Sequence, residues 1–208
     1  MAARTRLLPN QTSIGRRRLL GLLGGTILGG SLLTTLPRFA LGQTGKTMTA
    51  HDFSFTSIDG QPLPLSQYRG KAMLVVNTAS QCGYTPQYAD LQKLWAGYRE
   101  RGLVVLGVPS NDFNQETGSA KDIKAFCEVN FEVDFPLTDK AKVTGAEAHP
   151  LYRWIAAQKG EDALPKWNFH KVLIGPDGNV AGVFATRVKP TAPEVIAAIE
   201  TALKQAKA

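Results

Sequence analysis

Lysine and acidic residues are missing from the first 45 positions of this 208-residue chain, where the charged side chains are Arg4, Arg6, Arg16, Arg17, Arg18 and Arg38. Removing those six from the 24 basic residues leaves 18, against 17 acidic residues that all lie downstream. The formal charge of +7 therefore belongs to the leader, and the remainder carries about +1 (18 − 17). So small a balance gives no electrostatic case for nucleic acid or an anionic membrane surface as a partner. Cysteine is scarce too, with only Cys82 and Cys127, which excludes a disulfide-dense scaffold. No cluster has metal-ligand spacing and no glycine motif is built to cradle phosphate. Neither a metal nor a cofactor is expected. His51, His149 and His170 are too isolated for a Cys–His dyad. Repeats, low-complexity tracts and Pro/Gly/Ser-rich linkers are also lacking, so nothing divides the chain after the leader.

The leader has distinct parts. Gly15-Arg16-Arg17-Arg18 precedes an uncharged stretch from Leu19 to Pro37 interrupted by five glycines, then Arg38 and the small-residue exit Ala40-Leu41-Gly42. This arrangement resembles a twin-arginine export signal, which a receptor reads as an address. The stretch is also just long enough for an uncleaved membrane anchor. Both readings place the globular part outside the cytoplasm, in the periplasm or an equivalent compartment. Residues 1–42 are read as the signal and 43–208 as one domain, about 166 residues and enough to bury roughly 70% of its unfolded surface.

Within that domain, Phe53-Ser54-Phe55-Thr56 and the turn Asp59-Gly60 suggest an opening hairpin. Ala72–Asn77 and Leu103–Val108 are continuous apolar runs, as expected of strands covered on both faces. Between them a helix is predicted, with Thr85 as N-cap, Pro86 in its first position and Gly102 at its far end. Further helices are predicted from Ser119 to about Phe131, from His149 to Gln158, and from Thr191 onward with Val195, Ile196, Ile199 and Leu203 on the core stripe. Phe169–Ile174 and Val180–Ala185 flank Gly175-Pro176-Asp177-Gly178, a hairpin turn signal. The order β-α-β-α, then hairpin, then helix predicts an α/β thioredoxin-like fold with a mixed central sheet flanked by helices.

Cys82 lies between the first buried strand and the long helix. Unpaired backbone N–H groups and the positive end of the helix dipole at such a junction favour thiolate over thiol. Thr85 stands where a Cys-x-x-Cys motif would have its second cysteine. Exchange within the loop is therefore impossible, and Cys82 must act alone in its first step. Two cysteines in an oxidising compartment also allow a plain structural disulfide.

The segment Val76-Asn77-Thr78-Ala79-Ser80-Gln81-Cys82-Gly83-Tyr84-Thr85-Pro86-Gln87-Tyr88 resembles the active-site segment of the glutathione peroxidase family, in its cysteine-containing form. Gly107–Phe113, Gln115-Glu116 before Gly118-Ser119, Phe135-Pro136-Leu137, Ala148–Tyr152 and Lys166–Phe169 extend the likeness from about residue 50 to the C-terminus. The resemblance implies a hydroperoxide reductase whose catalytic group is Cys82 with Gln115, Trp167 and Asn168. An amide or an indole donates a hydrogen bond without a charge that pH could remove. Such donors steady a thiolate and receive the charge that appears on a departing oxygen. The Gln115 loop departs from the family: one residue, Asn114, separates Phe113 from Gln115 where two glycines are usual, and Thr117 replaces a common proline.

Cys127 matches the resolving-cysteine position of the two-cysteine members. This implies an intramolecular disulfide with Cys82, recycled by a thioredoxin-like donor or by glutathione. Its bland alternative is a buried thiol on a helix core face. The vertebrate tetramer-forming insertion is absent between Val133 and Pro136, which implies a monomer. The other activity compatible with the fold is that of an exported thiol-disulfide oxidoreductase, disfavoured by Thr85.

Overall fold

The computed structural model describes residues 47–206. The leader and its boundary at residue 42 lie outside them. No helix among the described residues is long and apolar enough to cross a membrane.

Two short strands, β1 (Ser54–Thr56) and β2 (Pro62–Pro64), pair antiparallel as the opening hairpin. The main sheet has the order β4-β3-β5-β6, built from β3 (Ala72–Thr78), β4 (Leu103–Pro109), β5 (Lys171–Ile174) and β6 (Val180–Phe184). β3 runs parallel to β4 and antiparallel to β5, so the sheet is mixed. The two apolar runs read from the sequence are β3 and β4, buried at every position. Alternation along β3 separates two cores, because successive side chains leave opposite faces. Leu74 and Val76 join α1 (Gln87–Tyr98), α2 (Ala120–Phe131) and α4 (Pro193–Gln205), whereas Met73 and Val75 join α3 (Pro150–Lys159) and the opening hairpin. This is the expected thioredoxin-like α/β arrangement.

Four local expectations need correction. Thr85 does not cap α1: the cap position is Pro86, and the Thr85 hydroxyl is committed inside the preceding loop. α1 ends at Tyr98, and Gly102, with φ of 99°, closes a 3-10 turn over Arg99–Arg101 instead. β5 begins at Lys171, because Phe169 adopts a left-handed φ of 61° that no strand accommodates. α4 starts at Pro193 with Ala192 as its cap, and Ile196 is only partly buried. α2 starts at Ala120, and Ser119 is its cap. The Ser119 hydroxyl accepts from the Asp122 N–H while the Asp122 carboxylate accepts from the Ser119 N–H.

Candidate active site

Strand direction brings three distant segments to one sheet edge. The loops after β3 and β4 leave at their C-terminal ends, and the turn before β5 arrives there because β5 is antiparallel to β3. The Ser110 N–H still donates to the Thr78 carbonyl at 3.0 Å, so the β3–β4 ladder runs one step beyond the strands before the loops part.

The Ser80–Pro86 loop carries Cys82, which is 7% exposed. The Thr85 hydroxyl accepts from the Cys82 N–H at 3.0 Å and donates to the Ala79 carbonyl at 2.9 Å, folding the loop on itself. The N–H groups expected to be free at the head of α1 are largely used within the turn. Thr85 N–H donates to the Cys82 carbonyl, Gln87 N–H to that of Tyr84 and Tyr88 N–H to that of Thr85. The Tyr84 N–H is the one directed at sulfur, 3.4 Å from Sγ. With Thr85 serving as a brace where a second cysteine would sit, the loop holds a single thiol.

The loop after β4 carries Gln115, half-buried. Its shortness is absorbed by Asn114, which takes a left-handed φ of 56° while its N–H donates to the Asn111 carbonyl. Asn enters that region readily. The turn delivers the Gln115 carbonyl to the Gln81 N–H at 3.0 Å. Its side-chain Oε1 accepts from Asn168 Nδ2 at 2.8 Å, so two of the predicted residues bond directly. That bond leaves the Gln115 amide N–H groups free to donate. Glu116, 1% exposed, accepts from the Ser80 N–H at 2.8 Å and the Ser80 hydroxyl at 2.9 Å. Burial raises its carboxyl above the usual range against the pull of those bonds. The nucleophile loop and the Gln115 loop are thus stitched at adjacent residues.

The third segment is Trp167-Asn168-Phe169. Asn168 is fully buried, with its Oδ1 unpartnered, while Trp167 is 41% exposed with its ring 5.3 Å from that of Phe113. Asn77, the last but one residue of β3, fixes this turn. Its Nδ2 donates to the Trp167 carbonyl at 3.2 Å, its Oδ1 accepts from the His170 N–H at 3.1 Å, and its backbone carbonyl accepts from the Phe169 N–H at 2.6 Å. Neither Asn77 nor Glu116 is assigned a role by the sequence alone. The available signal was a polar amide closing an apolar strand and a carboxylate beside the candidate glutamine.

Cys127 lies on the buried face of α2 with Ile123 and is fully inaccessible. Burial pushes its thiol up to about 11. The buried Tyr88 hydroxyl faces both Cys127 and Thr78. Both cysteines are free thiols on one apolar cluster. The histidines are engaged elsewhere: His149 caps α3 and stacks on Phe55, and His170 Nε2 meets the Ala163 carbonyl. Among the described residues no group of three His, Cys, Asp or Glu could hold a metal ion.

Comparison with known proteins fits this site. Residues 50–156 match the glutathione peroxidase family. The glutathione peroxidase homolog BsaA of Halalkalibacterium halodurans is 47% identical over 146 residues, which are 69% of this chain and 93% of that one. The hydroperoxy fatty acid reductase gpx1 of Synechocystis is 43% identical over 164 residues, 74% of this chain and 96% of its own length. The crystal structure of Trgpx in apo form superposes with a TM-score of 0.61 at 36% identity, covering 76% of this chain and 97% of that one. The chain belongs to the glutathione peroxidase family, in its cysteine-containing form, and is a thiol peroxidase.

Proposed function

We propose that the chain is an exported peroxidase that reduces hydrogen peroxide and organic hydroperoxides through Cys82 and is recycled through a disulfide with Cys127. The observation that carries this reading is the placement of the Cys82 loop beside the bonded Gln115–Asn168 pair. The Cys82 thiolate attacks one peroxide oxygen and the O–O bond breaks. Sulfur becomes a sulfenic acid, and the other oxygen leaves as an alkoxide or hydroxide that takes a proton. Gln115, Trp167 and Asn168 supply uncharged donors to the thiolate and to the leaving oxygen.

The Cys127 sulfur then attacks the Cys82 sulfenic sulfur, and the thiol proton leaves with the displaced hydroxyl as water, forming the disulfide that an external dithiol reduces. A thioredoxin-like donor fits this cycle, and glutathione is the weaker candidate. Because Cys127 sits on the core face of a formed helix, its approach to Cys82 requires local unwinding of α2. Residues 1–42 act as a twin-arginine signal that sends residues 43–208 to the periplasm as a monomer.

The test is Cys127→Ser. After one equivalent of peroxide, mass spectrometry should find a disulfide in the wild type and a sulfenic or sulfinic acid in the variant. Turnover with thioredoxin should stop in the variant. Equal cycling of both proteins would make Cys127 a core thiol and Cys82 a one-cysteine peroxidase.

A further inference from the structure

Lys171 is a buried amine that the proposed chemistry leaves unused. It opens β5, is fully buried, and shares a face with Leu173, so it points to the side of the sheet that holds Cys82 and Tyr88. Among the described residues no carboxylate lies within 4 Å of it; the nearest acidic influence is Asp90 of α1, which pairs with Lys93 instead. Its Nζ donates to two backbone carbonyls, Phe169 at 2.7 Å and Thr186 at 3.5 Å.

Those two carbonyls belong to one polar hub. The Thr186 hydroxyl donates to the Asn168 carbonyl at 2.8 Å, and the Thr186 carbonyl also accepts from Gln87 Nε2 at 2.8 Å. Gln87 is the first residue of α1, directly after the Cys82 loop. The hub therefore ties the head of α1 to the turn that carries Trp167 and Asn168. It grips that turn where the backbone is least comfortable, at Phe169 with its left-handed φ of 61°. An aromatic residue holds such a conformation only when its surroundings enforce it.

A buried lysine amine with no ion pair is costly to keep charged, and an apolar side chain of similar length would pack there more favourably. Burial pulls the Lys171 amine down to about 7, which reports the same cost. We propose that Lys171 is a positioning residue of the peroxide site, which holds the Phe169 and Thr186 carbonyls so that Trp167 and Asn168 are aimed at the reacting oxygen. The inference rests on reading Trp167 and Asn168 as donors.

The experiment compares two reactions of Cys82 in the same protein. Reduction of hydrogen peroxide needs donors aimed at the leaving oxygen. Alkylation by iodoacetamide needs the thiolate but no such donors. Lys171→Met should lower the peroxide rate relative to alkylation by about 10- to 100-fold, the scale of a misplaced catalytic group. Its melting temperature should be unchanged or higher. Lys171→Gln, which keeps one donor, should recover part of the loss.

Thr186→Val removes the Asn168 bond while sparing Lys171, and should show the same selective loss if Lys171→Met fails to fold. A ratio within twofold of wild type in a folded Lys171→Met, or in Thr186→Val when Lys171→Met does not fold, overturns the inference. Trp167→Phe separates the two levels. If that variant keeps its ratio, the donor reading itself fails, whatever Lys171→Met does.

Discussion

The two cysteines have the same functional group and nearly opposite surroundings. Cys82 sits in an irregular loop ahead of a helix, with a backbone N–H pointed at its sulfur and the Gln115 loop bonded to its neighbour Gln81. Cys127 sits in the middle of a regular helix, sealed against Ile123 and Tyr88, with its thiol held protonated by burial. On the proposed cycle, the difference separates a thiol that meets substrate from one that stays apart until oxidation has occurred. Reactivity is set by what the backbone leaves open around sulfur as much as by the residue type.

The comparison is tested most severely by Cys82→Ser. Peroxide reduction should fall to the background of the uncatalysed reaction, because a hydroxyl is no substitute for a thiolate at neutral pH. Circular dichroism should be unchanged. Appreciable turnover in this variant would move the chemistry to Cys127 and reverse the contrast.

Trp167→Phe asks how much of the contrast comes from donors. It keeps most of the apolar area and removes the indole N–H, and the second-order rate with peroxide should fall roughly 10- to 1,000-fold. An unchanged rate would return Trp167 to a packing role beside Phe113.

The alkaline limb sharpens the contrast from the Cys127 side. Since burial raises this thiol from 9.0 to about 11, the folded state keeps a proton that the unfolded chain loses first. Stability from this group is complete below about pH 9 and is lost as pH rises through 11. Cys127→Ser should flatten that part of the curve in denaturant titrations across pH. Labelling of native protein near pH 8 should modify Cys82 and spare Cys127; equal labelling would show an accessible second thiol.

The smallest effect concerns the end of α2. Glu132 closes this helix with a left-handed φ of 54°, where glycine is preferred. Glu132→Gly should stabilise the protein by about 1 kcal/mol in urea unfolding. A neutral or negative result would mean that this turn is already relaxed.

Much of this was legible in the sequence for a physical reason. β3 and β4 announce themselves because strands buried on both faces need unbroken apolar runs. α2 does so because Ile123, Phe126 and Cys127 recur on one face at helical spacing. What escaped depends on partners far along the chain. A lysine at the start of a strand reads as an edge residue until its burial is known. The left-handed Phe169 carries no residue-type signal, since glycine and asparagine are the usual occupants. Thr85 looked like a helix cap, since a hydroxyl before Pro86 suits that role. In the fold its oxygen accepts from the Cys82 N–H and serves the loop instead.

Asn77 gives the site a further property. Its side chain and carbonyl hold residues 90 to 93 positions away, while Gln115 and Asn168 meet across 53. On the proposed reading, reactivity toward peroxide therefore depends on contacts made across most of the domain. A chain that has formed the β3–α1–β4 half already presents Cys82, yet lacks the turn that completes its surroundings. If Trp167 and Asn168 act as proposed, full peroxidase activity requires β5, the strand whose antiparallel pairing to β3 holds their turn in place. Any agent that loosens that one pairing should silence the enzyme while most of its helices remain intact.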